Sequence, residues 1–115
     1  MFIVFADDQT VTVLRDIDSV RRECETVDVE DGIYTFFDEL GRHLLPTWTA
    51  PVQRKSGFLG SVSGGSFELK LDPEDSGSSF HASIADVVLL ESNPLFETIS
   101  DLISYVESNQ ADQVR

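Results

Sequence analysis

The chain has 115 residues, 41% hydrophobic and 25% charged, which is one domain with an ordinary globular composition and excludes disordered and fibrous classes. Eight Lys and Arg face 21 Asp and Glu for a net charge of -13, with a pI near 4.2. That balance excludes the basic footprint of a nucleic-acid-binding module and docking on an anionic membrane.

The first elements in the chain are a hairpin and a helix. Phe2–Ala6 and Thr10–Leu14 are β-branched and aromatic runs separated by Asp7-Asp8-Gln9, a strand-turn-strand pattern. Val11 and Val13 alternate with Thr10, Thr12 and Leu14, giving the second strand one drier face. Ile17, Val20 and Cys24 form the apolar stripe of a short helix, with Asp18 as the expected N-cap.

Ile33-Tyr34-Thr35-Phe36-Phe37 is a strong strand. Asp38 to Gly41 follow as a hairpin loop, with Gly41 supplying the positive φ. Pro46 and Pro51 bracket Thr47–Ala50, so the strand after this loop is expected to lie at an edge or end early. Phe58–Val62, a turn at Ser63-Gly64-Gly65 and Phe67–Leu71 then predict a second hairpin. Phe67, Leu69 and Leu71 alternate with Glu68 and Lys70, the pattern of a sheet covered on one side only.

Pro73 to Ser79 is a loop, and its acids Asp72, Glu74 and Asp75 are expected to lack rigid presentation. Phe80, Ile84, Val87 and Val88 recur at helical spacing, with a strand over Val87–Leu90 as the alternative. A final helix carries Leu95, Ile99, Leu102, Ile103 and Val106 on one face. Asn93 followed by Pro94 is one start signal, and Thr98 followed by Asp101 a second. Residues from Gln110 onward are expected to fray. Strands first and helices later predict one α+β domain over residues 1–115. Its antiparallel sheet should have five or six strands, with two or three helices on one face.

Chemistry is sparse. The single cysteine excludes a disulfide framework and multi-cysteine metal sites. Cys24 lies on an apolar stripe between Glu23 and Glu25, the setting of a buried hydrophobe rather than a nucleophile. The glycine-rich run after Arg54-Lys55 lacks the Gly-Lys-Ser/Thr ending of a phosphate cradle. A calcium-loop alignment beginning at Asp28 fails because Ile33 takes the glycine position. His43 and His81 have no partners at ligand spacing. The sequence therefore predicts no catalytic residues, no metal and no cofactor. No secretory leader and no apolar run of membrane-spanning length occurs, so a cytoplasmic location is expected.

Charge is unevenly spread. Residues 1–39 hold eleven acids and three bases, residues 40–70 one acid and four bases, and residues 71–115 nine acids and one base. The densest block is Glu23, Glu25, Asp28, Glu30 and Asp31. A solvated face accounts for such a block, as does a surface that steers and binds a basic partner. The segment Thr26-Val27-Asp28-Val29-Glu30-Asp31-Gly32-Ile33-Tyr34-Thr35-Phe36-Phe37-Asp38-Glu39-Leu40-Gly41-Arg42 resembles one found in small acidic immunity proteins of bacterial polymorphic-toxin and contact-dependent-inhibition loci. The resemblance implies stoichiometric inhibition of a basic toxin or nuclease domain, without catalysis. It transfers no individual binding residue. On the charge argument, Glu23, Glu25, Asp28, Glu30 and Asp31 are the expected partner-binding residues. The alternatives are a structural or regulatory subunit of a larger assembly and a small enzyme without a recognisable motif.

Overall fold

The computed structural model describes residues 1–54 and 62–113. The chain runs β1 (Phe2–Ala6), β2 (Thr10–Leu14), α1 (Ile17–Glu23), α2 (Thr26–Glu30), β3 (Tyr34–Asp38) and β4 (His43–Arg54). It continues with β5 (Val62–Leu71), α3 (Ser79–Ala85), β6 (Leu89–Leu90) and α4 (Ile99–Gln113). The strands form an open six-stranded sheet in the order β5-β4-β3-β1-β2-β6. All pairings are antiparallel except β2 with β6, which is parallel. The fold is α+β. Among the described residues no helix is long and apolar enough to cross a membrane.

The helices, expected on one face, divide between two. Alternate residues of a strand point to opposite faces, and at the centre of this sheet both sets are buried. Ile3 and Phe5 of β1 and Phe37 of β3 pack with Val11, Val13, Phe80, Ile84, Leu102 and Val106, the core beneath α3 and α4. Val4 and Phe36 pack instead with Val20, Cys24, Val29, Leu44 and Phe67, the core beneath α1 and α2. The unbroken apolar runs of β1 and β3 are the signature of strands covered twice.

Among the described residues α1 and α2 are the helices that pack on the inner end of the β4–β5 ribbon, through the core that holds Leu44 and Phe67. Trp48 packs against Phe67 there, with ring centroids 5.5 Å apart and the rings tilted by 60°. Arg21 of α1 donates from Nε and Nη2 to the Phe67 carbonyl. The opposite side of this ribbon, with Leu45, Thr47, Glu68 and Lys70, is exposed. One-sided cover, expected for the whole sheet, is therefore a local property of this ribbon.

Several elements differ from their expected limits. Asp16, not Asp18, caps α1 by accepting from the Ser19 N–H at 2.8 Å. A second helix, α2, follows after two residues. β4 continues through both prolines to Arg54. Its pairing with β3 is confined to Leu44 and His43, so Pro46 and Pro51 lie where no β3 neighbour needs their missing N–H. Ser63, Gly64 and Gly65 lie within β5 rather than in a turn, and the expected strand residues 58–61 fall outside the described residues. Thr49 is the extra residue of a bulge, where the β4–β5 register shifts between Trp48 and Ala50. Residues 84–90 follow neither alternative in full: α3 ends at Ala85, β6 holds only Leu89 and Leu90, and Val87 and Val88 belong to neither element. Thr98 is the start of α4, its Oγ1 accepting from the Asp101 N–H. Asn93 instead accepts from the N–H groups of Leu95 and Phe96, fixing a turn before the helix. The helix continues to Gln113, and Gln110 donates to the Leu40 carbonyl.

A polar knot joins the β3–β4 turn to its surroundings. Buried Asp38 accepts from the N–H groups of Leu40 and Arg42 and from Arg42 Nε at 2.7 Å. His43 Nδ1 lies 2.9 Å from Asp72 Oδ2, and the His43 N–H donates to Asp75 Oδ2. Asp75 also accepts from Gly77 N–H and Ser79 Oγ. These acids of the loop after β5 are thus rigidly held, contrary to expectation.

Candidate functional site

β2 builds the floor of a surface groove. Val11 and Val13 face the core under α3 and α4, leaving Thr10, Thr12 and Leu14 on the opposite side. These three residues belong to the floor of a groove of about 490 Å³. Val4 and Ala6 extend that floor, and Tyr34, Cys24 and Glu23 stand on one side. The segment Glu91–Pro94 forms the other side because β6 pairs with β2 and carries the chain past it.

Three carboxylates from distant parts of the chain, Asp8, Glu23 and Glu91, border this groove. Asp8 is held by the β1–β2 turn, its Oδ1 accepting from the N–H and the Oγ1 of Thr10. Glu23 is the last residue of α1 and is exposed. Hydroxyl groups on the floor and carboxylates on the rim form a surface rich in acceptors. Such a surface suits the ammonium or guanidinium of a basic side chain.

The two other reactive groups in the groove are suppressed. Burial, reinforced by the charges of Glu23 and Asp28, pushes the Cys24 thiol up to about 11. It stays a neutral thiol at physiological pH, the inert state of a buried cysteine. The Tyr34 hydroxyl is also pushed up, first by burial and then by the negative charges of Asp28, Glu25 and Asp7. Neither histidine lines the groove. His43 is engaged with Asp72 on the other side of the molecule, and His81 lies 3.5 Å from Glu107. Among the described residues there is no cluster of three or more metal-ligating side chains.

The five acids expected to bind a partner occupy one continuous stretch around α2, but at different positions relative to the groove. Glu23 lines it. Glu25 and Asp28 stand close enough to act on the Tyr34 hydroxyl at its edge. Glu30 and Asp31 lie at the far end of α2, where both side chains are exposed and each makes a further interaction. Asp8 and Glu91 were missed by sequence reasoning, which followed density along the chain. The one available signal was the Thr-Val alternation of β2, which marks a strand whose second face is polar. Comparison of the chain with protein-family profiles, characterised proteins and solved structures finds no match.

Proposed function

We propose that this protein is a non-catalytic binding domain that inhibits a basic toxin or nuclease domain stoichiometrically, through the acidic groove and the adjoining α1–α2 face. The observation that carries the reading is the convergence of Asp8, Glu23 and Glu91 on one concave surface. Convergent carboxylates steer a basic partner and set its register, and those desolvated on contact control its dissociation. The suppressed Cys24 thiol and the absence of histidine from the groove favour binding over group transfer. The resemblance of residues 26–42 to immunity proteins points the same way.

The test is enzymatic. A toxin or nuclease domain found in a neighbouring reading frame is purified, and its activity is titrated with this protein; neighbouring frames that encode no such domain would count against the reading. Activity is expected to disappear at one molar equivalent. Full toxin activity in the presence of excess inhibitor would overturn the reading.

A further inference from the structure

β6 is the outermost strand on its side of the sheet. One flank pairs with β2 at Leu89 and Leu90, and among the described residues no strand lies along the other. Proteins usually guard such an edge with charged side chains, proline or a covering segment. Here the side chains at the edge are apolar: Val88 is 70% exposed and Leu89 52%, with Leu95 nearby in sequence at 48%. Leu89, Leu90 and Phe96 also line a second groove, of about 460 Å³, whose wall includes Glu91 and Glu97. No Lys or Arg occurs between Lys70 and Arg115, so this part of the chain contributes only negative charge.

We propose that the β6 edge is a docking strip for an extended segment of a protein partner, in which apolar and basic residues alternate. The segment lies beside β6 as an added strand. As an added strand it turns alternate side chains to opposite faces: its apolar residues cover Leu89, while its Lys or Arg residues reach the second groove, their stems on Phe96 and their heads toward Glu97. Charge selects this occupant over a second copy of the chain. A second copy would bring the same acids to the same edge, on a molecule that already carries -13. The inference shares the basic partner and Glu91 with the proposed function, and extends the contact from the first groove to the adjoining β6 edge.

The probe is an acetylated and amidated decapeptide of alternating valine and lysine, titrated into the isotope-labelled full chain at physiological salt. Two comparison peptides replace every valine by serine or every lysine by glutamate. The valine–lysine peptide is expected to shift the amide resonances of residues 88–91 and slow their hydrogen exchange. Both comparison peptides, and the L89D protein with a native spectrum, are expected to bind about tenfold more weakly or worse. Equal binding of the serine–lysine peptide would reduce the effect to charge attraction and overturn the proposal. So would shifts centred on α1 and α2, or undiminished binding by L89D. Because no toxin is used, failure here leaves the inhibition assay unaffected, and failure of inhibition leaves this binding unaffected.

Discussion

Cys24 and Gly41 are single residues whose roles follow from sequence and are sharpened by their surroundings. The apolar stripe of α1 marks Cys24 as buried, and the structure leaves it 2% exposed. Its folded pKa of about 11 lies above the ordinary 9.0. The sign of the linkage follows: the contribution to stability is intact below pH 9.0 and is lost as pH rises toward 11. Native protein at neutral pH should react with iodoacetamide far more slowly than protein unfolded in urea. Equal rates, measured by mass spectrometry, would contradict the burial. Gly41 was legible as a turn glycine, but its second constraint was not. With φ at +73°, an added Cβ would meet Gln110 Nε2 at 2.9 Å and Val106 Cγ1 at 3.0 Å, atoms of a helix some seventy residues away. Gly41→Ala should therefore lose about 2 kcal/mol or more in urea unfolding, combining left-handed strain with a clash. Gly77→Ala, at φ +84° in open space, should lose only the strain, about 1 kcal/mol. Equal losses would show that α4 yields freely at the turn.

At the scale of elements, local pattern identified strands and helices better than it identified their neighbours. The consecutive apolar residues of β1 and the Phe36-Phe37 pair hold the evidence for two covered faces, whereas the alternation of β5 points to one. Extending the β5 pattern to the whole sheet put every helix on one side. The prolines of β4 were legible as edge residues, but not the continuation of the strand past them. That depends on β3 stopping short, a fact of pairing rather than of local sequence. Likewise, Asp8 and Glu91 border one groove only because β6 pairs with β2, and no spacing along the chain reveals this. The loop after β5 permits a test at this scale. Asp72 is held below the ordinary carboxylate value of 3.8, first by the Glu74 N–H and then by His43. Asp75 is held below it first by the His43 N–H. Lowered values stabilise the fold above pH 3.8, and that contribution is lost as pH falls through the folded values. The double variant D72N/D75N should be less stable than the parent at neutral pH, with the difference shrinking as pH falls below 3.8. A constant difference across that range, read from urea midpoints, would contradict the assignment.

The whole molecule measures 55 × 29 × 23 Å, longer than a rounded chain of this size because β4 alone has twelve residues, about 40 Å of extended backbone. Its net charge was fully legible in the sequence, but the placing of Asp8, Glu23 and Glu91 on one groove was not. A test must separate steering by that face from attraction by net charge. For the proposed inhibition the direct measurement is the association rate with a toxin domain that this protein is found to inhibit, for two triple variants at low and physiological salt. E23K/E25K/D28K reverses charge beside the groove, while E74K/D101K/D112K makes the same change at exposed positions outside it. The first variant should associate at least about tenfold more slowly than the parent, equivalent to about 1.4 kcal/mol at unchanged dissociation. Its deficit should narrow as salt is added, and the second variant should lose much less. Equal slowing by both would mean that only net charge matters, and an undiminished rate for the first would contradict the acidic face itself.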